Sequence, residues 1–420
     1  MARADGHFGP VSVPERIEVR CCICGGGPAG MMLSLLLARA GVDVVVLEKH
    51  ADFLRDFRGD TIHPSTLEVI HELGLLDDFL ALPHQKVERI TGVIGGVEVA
   101  IADFTHLPVR CPYIAFMPQW DFLDFLADQA ARYPGFRLLR ESEVVDLVRE
   151  NARVVGVAAR TPSGPLEVRA DLVIGADGRN SAVRRLAGLA VEDLGAPIDA
   201  LWLRLTRRPE DPVGAFGRFD PGRIFVTLDR GSSWQCAYVI AKGGYDGLRA
   251  RGLEEFRAEI AGIAPFLADR VGEIAGWDDV SLLTVRVDRL RRWHAPGLLC
   301  LGDAAHAMSP VGGVGINLAV QDAVAAANVL AGPLRARAVT TGHLEAVQRR
   351  RMFPTRETQR LQIIVQNRIL GRVLASRSLK PPLAVRLLDR WPVLRRIPAR
   401  LIGMGFRPEH VRSPEAPLAR

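Results

Sequence analysis

Apolar residues gather near the start of the chain in two short runs, 17–24 and 42–47, each closed by charged or turn-forming positions. Runs of that length without alternation predict strands buried on both faces. Between them, residues 31–40 carry apolar side chains at helical spacing, so strand, glycine cluster, helix and strand compose one βαβ unit. Residues 171–175 and 297–301 read as further apolar strands, and the Ala-rich run 318–330 as a long helix. Residues 199–207, 223–229 and 233–241 read instead as alternating strands. With 90–102 they predict an antiparallel sheet that exposes one face to a ligand.

A chain of 420 residues has room for two or three structural units. Its 48% hydrophobic and 24% charged residues, with 40 Gly and 27 Pro spread throughout, exclude disordered and collagen-like classes. The apolar stretch 31–47 is broken by Arg39 and Asp43, and no run of eighteen uncharged apolar residues occurs, so no membrane-spanning helix is expected. The first fourteen residues lack the layout of a signal peptide, which points to the cytoplasm. Of six cysteines, Cys21, Cys22 and Cys24 lie together in the first strand, where they read as core thiols and not as a metal or redox site.

Charge is unevenly placed. From Arg335 onward 18 Arg and one Lys face five Asp or Glu, a surplus of +14, so residues 1–334 carry −8. These arginines are scattered among Leu, Ile and Val at helical spacing, without aromatic stacking platforms or a recognition motif. They predict helices with a solvated basic face and no nucleic-acid partner. Docking on an anionic membrane surface or an acidic partner is the alternative.

Between the first strand and helix stands Gly25-Gly26-Gly27-Pro28-Ala29-Gly30. In such a turn Gly25 permits the tight bend, Gly27 lets a pyrophosphate approach the backbone, and Gly30 lets helix and strand pack closely. The helix N-terminus offers unpaired amides to that pyrophosphate, and Glu48 at the end of the second strand is placed to accept from a ribose diol. A dinucleotide ligand follows, but NAD and FAD share this half.

Two later segments separate them. The first runs from strand 171–175 through Ala176-Asp177-Gly178-Arg179 into a helix capped by Asn180 or Ser181. The second runs from strand 297–301 into Gly302-Asp303-Ala304-Ala305-His306, then Pro310-Val311-Gly312-Gly313-Val314-Gly315-Ile316-Asn317 and the long helix. With the opening glycines, these resemble the three fingerprints of class A flavoprotein monooxygenases, the family around para-hydroxybenzoate hydroxylase, over about the first 330 residues. Phe57-Arg58-Gly59-Asp60 with 63–75 resembles that family's arginine loop and following helix. Pro118-Gln119-Trp120 with Leu123 and Leu126 resembles its flavin-contacting helix, and Pro408-Glu409-His410 also recurs in similar members.

The resemblance implies an α/β fold: a Rossmann-like FAD-binding domain (15–90, 115–190 and 285–333), an inserted antiparallel β-sheet substrate domain of α+β type (91–114 and 191–284), and a C-terminal helical basic segment (334–420). It implies FAD as cofactor, with NADPH or NADH binding transiently in a groove, since no second dinucleotide motif is present. Contacts to FAD are expected from Gly25, Gly27, Pro28, Ala29, Gly30, Glu48, Lys49, Arg58, Gln119, Asp177, Asp303, Pro310, Gly313, Gly315, Ile316 and Asn317. Glu48 would meet the adenosine ribose, Arg58 and Gln119 the middle of the cofactor, and Asp303 the ribityl chain. Arg58, Pro310 and His306 are the residues expected nearest the chemistry, although His306 also reads as a loop-holding residue and Asp177-Gly178 as a structural turn. The glycine-rich loop 310–317, ending at a helix N-terminus, would place N–H donors and a positive dipole where the flavin gains negative charge on reduction.

The implied reaction is reduction of FAD by NAD(P)H, capture of O2 as a flavin C4a-hydroperoxide, and transfer of one oxygen to an electron-rich aromatic or polyketide-like molecule. Trp202, Phe225, Trp234 and Tyr238 on the alternating strands are candidates to meet that substrate, with the core as their other destination. A monomer or homodimer is expected. Three rivals stay open: a membrane-surface quinone-biosynthesis hydroxylase, a non-catalytic dinucleotide-binding regulator, and a flavin-dependent halogenase. The last should show Trp-x-Trp-x-Ile-Pro, and Trp234-Gln235-Cys236-Ala237 breaks that pattern.

Overall fold

The computed structural model describes residues 15–54, 60–212, 216–376, 378–379 and 382–416. Strand β1 (Glu15–Cys24), helix α1 (Pro28–Arg39) and strand β2 (Val44–Leu47) form the βαβ unit, with β1 and β2 parallel from Cys21↔Val44 to Cys24↔Leu47. The helix begins three residues before its apolar period does. Pro28 occupies the first helical position, where an N–H would have no partner and a fixed φ suits the turn.

Around this unit the main sheet runs His294–Ala295, Leu298–Cys300, Gly164–Gly175, β1, β2, Phe136–Leu139. From Leu298–Cys300 to Phe136–Leu139 every pairing is parallel, and an antiparallel ribbon of Glu143–Glu150 and Arg153–Thr161 is attached to Gly164–Gly175. Cys21, Cys22 and Cys24 are buried in this sheet as core thiols, and burial pushes the Cys21 thiol up. Helix Gly315–Arg335 packs against α1. By length and composition it could cross a bilayer, yet 78% of its most apolar stretch is buried inside the protein, as expected of a core helix.

The second sheet has seven strands, ordered Ser281–Leu283, Ile198–Thr206, Ser233–Ala241, Arg223–Asp229, Phe216–Asp220, Arg89–Ile94, Val97–Asp103. One ladder departs from the antiparallel expectation. Phe216–Asp220 lies parallel to Arg89–Ile94, because these strands come from separate passages of the chain and not from a hairpin. One face of this sheet packs on helix Leu253–Ile263 through Leu203, Phe225, Trp234 and Tyr238. The other face puts Ile198, Ile224 and Val239 against Val311, so the sheet roofs the loop that leads into the core helix.

The C-terminal residues pack on both parts. Helix Thr341–Val365 runs beside Gly315–Arg335, and segments Leu383–Arg390, Pro392–Arg395 and Arg396–Gly403 cover the edge strand Val97–Asp103. The chain then returns to α1, where the Ala416 N–H donates to the Arg39 carbonyl at 2.8 Å. Most arginines of this region are solvated, but Arg351 is buried.

Candidate cofactor and active site

The turn from β1 into α1 is shaped by glycines of two kinds. Gly25 has φ of 107°, and a Cβ there would stand 2.5 Å from the Ala176 carbonyl oxygen. A Cβ on Gly30 would stand 2.0 Å from the Gly25 oxygen. Both positions are closed to any side chain by the protein itself. Gly27 is different: nothing lies nearer to its missing Cβ than the Ala176 oxygen at 4.0 Å, so the protein leaves room there. That space adjoins the α1 N-terminus, with its unpaired amides and positive dipole. Glu48, buried at the end of β2, accepts from the Gly26 N–H at 2.9 Å and the His50 N–H at 3.0 Å. Open room, amide donors and a fixed carboxylate acceptor fit the pyrophosphate and ribose of an adenosine dinucleotide. Pro28 and Ala29 form the first turn of α1, and Lys49 is exposed.

Parallel pairing brings the later motifs to the same sheet edge, since Gly175 is level with Cys24 on one side and Cys300 on the other. Asp177 has a turn role: it accepts from the Ser181 hydroxyl at 2.5 Å and the Val183 N–H at 3.1 Å. Burial pushes its carboxyl up, partly offset by these hydrogen bonds. Of the two possible caps, Ser181 is the one used, accepting from the Arg184 N–H at 2.9 Å. Asp303 remains partly accessible and pairs with Arg179 at 3.4 Å, a partner that sequence reasoning missed. This pair ties the second motif to the third.

His306 is corrected by the structure from a residue near the chemistry to a structural one. It is buried, with Nε2 2.5 Å from Asp322 Oδ2. Asp322 also accepts from the Gly302 N–H at 3.2 Å and from Arg351 Nε at 2.8 Å. Burial alone would raise the Asp322 carboxyl, but His306 and Arg351 beside it hold it below the ordinary value. The cluster fixes the Gly302-Asp303 turn from beneath. Asp322 is the one charge between Gly315 and Leu334 on an apolar helix, which was the available signal; nothing set Arg351 apart from Arg349 and Arg350.

Pro310 is exposed and opens the turn Val311–Gly313, in which Gly312 and Gly313 have φ of 80° and 63°. The Thr61 hydroxyl donates to the Gly313 carbonyl at 2.9 Å. From the other side Gln362 donates from Nε2 to the Ser309 and Val311 carbonyls, both at 2.9 Å, and accepts from the Ser309 N–H at 3.2 Å. The Asn317 side chain is taken up by protein: its oxygen accepts from the His63 N–H at 2.9 Å and the Thr66 hydroxyl at 2.7 Å. Any cofactor contact from Asn317 is therefore through its amide, in the same first turn as Gly315 and Ile316. Gln119 opens helix Gln119–Ala131 close after strand Ile114–Phe116, which pairs with Thr61–Ile62. Arg58 lies outside the described residues.

The roof sheet corrects three of the four aromatic expectations. Phe225, Trp234 and Tyr238 are buried on the face packed by Leu253–Ile263, away from Val311. Trp202 lies on the opposite face, partly exposed, with Nε1 buried and unpaired. Cross-strand register puts it level with Ala237 and then Val226, one step along from the row Ala200, Val239 and Ile224 that holds the Val311-packing residues. In the Trp202 row the small, buried Ala237 stands between Trp202 and Val226, both partly exposed.

Comparison with known proteins is consistent with this geometry. The FAD binding domain family matches residues 18–361. The chain is 34% identical over 410 residues to 6-methylpretetramide 4-monooxygenase of Streptomyces rimosus, covering 97% of each. Among solved structures it is similar to the OxyS anhydrotetracycline hydroxylase of Streptomyces rimosus, with TM-score 0.71, 26% identity, 92% of this chain and 76% of that one covered. It shares its fold with pqsL, a probable FAD-dependent monooxygenase of Pseudomonas aeruginosa, with TM-score 0.73, 22% identity, and 85% and 98% covered.

Proposed function

Since the chain belongs to the FAD binding domain family, as a class A FAD-dependent aromatic monooxygenase, we propose that it hydroxylates a polycyclic aromatic polyketide of the pretetramide type. The observation that carries this reading is similarity to a 6-methylpretetramide 4-monooxygenase along 97% of both chains. In this proposal the discontinuous FAD unit (15–90, 115–190 and 285–333) lies beneath the substrate sheet (91–114 and 191–284), and the basic segment 334–420 buttresses both. When bound, FAD supplies electron transfer from NAD(P)H and activation of O2.

The chain's own residues bind, orient and exclude water. Gly27 and the α1 amides would cradle the pyrophosphate in the turn that Gly25 and Gly30 shape, Glu48 would accept from the adenosine ribose, and Asp303, steadied by Arg179, would accept from the ribityl hydroxyls. The N–H groups of 314–317 and the positive end of the core helix would offer donors and a positive dipole to negative charge on a flavin ring placed there, the Gly313 N–H being taken by the Pro310 carbonyl at 3.0 Å. Trp202, Ala237 and Val226 form the apolar wall on which a flat substrate lies. A cytoplasmic location is part of the proposal, in keeping with six buried, unpaired thiols.

The test is incubation of the FAD-loaded protein with NAD(P)H, O2 and 6-methylpretetramide. Expected is substrate-stimulated NAD(P)H oxidation and a product heavier by one oxygen atom; oxidation that yields only hydrogen peroxide with every polycyclic phenol tried overturns the reading. Ala237→Phe, adding bulk to this wall, is expected to raise KM about tenfold while FAD affinity stays unchanged.

A further inference from the structure

We propose that the outward face of residues 382–403 is a docking surface for an anionic lipid bilayer, an inference independent of the hydroxylase reading. The segment folds as two eight-residue helices joined by the turn Pro392–Arg395, and its inner side is accounted for: Ala399 and Ile402 pack with Ala102, Phe104 and Leu107. Its outer side is not. Leu383, Trp391, Val393 and Ile397 are 70%, 54%, 59% and 59% exposed. Arg386 and Arg390 fall at i+3 and i+7 from Leu383 and Arg400 at i+3 from Ile397, with Arg396 at the start of the same helix, so four exposed cations border those apolar side chains. None of the four pairs with an acid among the described residues, and the one acid of the segment, Asp389, is held by Arg395 at 3.3 Å.

Three features select lipid as the occupant. The face offers apolar bulk ringed by arginine, complementary to acyl chains beneath anionic headgroups. Residues 382–403 contain no Ser, Thr, Asn, Gln, Tyr, His or Lys, so apart from Asp389 their side chains offer arginine donors without acceptors, which suits a surface of phosphate oxygens. A second copy meeting this face by two-fold symmetry would bring its own four unpaired arginines against these. Helices of eight residues, about 12 Å long, are too short to enter a bilayer end-on and would lie in its surface.

Flotation of the full chain with phosphatidylcholine vesicles, with and without phosphatidylglycerol, tests this. Expected is binding to the anionic vesicles alone, a blue-shifted tryptophan emission lost in Trp391→Phe, and loss of binding in Trp391→Ser/Ile397→Ser. Arg386→Gln/Arg390→Gln is expected to weaken binding about 30-fold, as would added salt, with Tm and FAD affinity unchanged. No vesicle binding, or binding indifferent to these substitutions, overturns the proposal. So does lipid-independent dimerisation that Ile397→Ser abolishes, which would assign the face to a second copy.

Discussion

Gly27 and Gly30 stand three residues apart in one motif and answer to different demands. Gly30 is required by the fold, since a side chain would collide with the Gly25 carbonyl, whereas at Gly27 the protein leaves room that a ligand would claim. Gly27→Val is expected to fold with an unchanged apo Tm and to purify without flavin absorbance. Gly30→Val is expected to lose the cooperative thermal transition. A yellow Gly27→Val protein would show that the dinucleotide does not pass over this turn. At the same scale, His63 is buried, its Nδ1 2.7 Å from the Ile402 carbonyl, and burial pushes its imidazole down to about 4. The unfolded chain takes up this proton near pH 6.5 and the native chain does not. The contribution of His63 to stability is therefore full above pH 6.5 and declines as pH falls toward 4, by about 3 kcal/mol. His63→Gln is expected to flatten the fall in Tm between pH 7 and 5, and an identical slope in both proteins would refute it. Single residues with local consequences, such as the glycines and Glu48, were legible in the sequence because their neighbours lie within one βαβ unit.

The element that sequence reasoning undervalued is helix Thr341–Val365. It read as a basic amphipathic helix, but its inner face carries Gln359 and Gln362, and Gln366 follows directly after it, all three buried. Gln359 donates to the carbonyls of Asp288 at 2.7 Å and Ala307 at 3.2 Å, and Gln362 holds Ser309 and Val311. Side-chain amides here satisfy the backbone of the irregular stretch 307–311, which has no ladder of its own. Gln362→Leu would leave three backbone groups without their partner, a loss of about 2 kcal/mol. Expected are a lower Tm and less hydroxylated product per NAD(P)H consumed; full coupling in this variant would show that the loop keeps its place without the clamp. Glutamine at helical spacing among Arg, Leu and Ile gives no sign of such a role, because its partners are backbone groups 51 to 71 residues away.

At the scale of the molecule, the chain closes on itself. Glu409 is buried, pairs with Arg350 at 2.6 Å and lies 3.6 Å from Arg351, while Val411 and Arg412 are bound by Glu72 and Asn328. The basic segment therefore cannot be removed at Arg335 without opening the core. Even truncation after Met404 is expected to cost about 3 kcal/mol, through loss of the buried Glu409 carboxylate; an unchanged Tm would contradict this. The sequence alone determined the βαβ unit, the dinucleotide turn and the strands at 17–24, 42–47, 199–207, 223–229 and 233–241, since each rests on short-range periodicity or on residues within one turn, while the cofactor class came from the resemblance of three separated motifs; strands Phe136–Leu139, Glu143–Glu150, Arg153–Thr161 and Phe216–Asp220 were not read from the sequence. Which face of the roof sheet meets the loop was decided by tertiary structure: alternation sorts Trp202 from Tyr238 only when it is known where helix Leu253–Ile263 packs. The same holds for His306, Asp322, Arg351 and Glu409. Four charged or polar residues from distant stretches become one buried network only once three-dimensional packing removes water from around them.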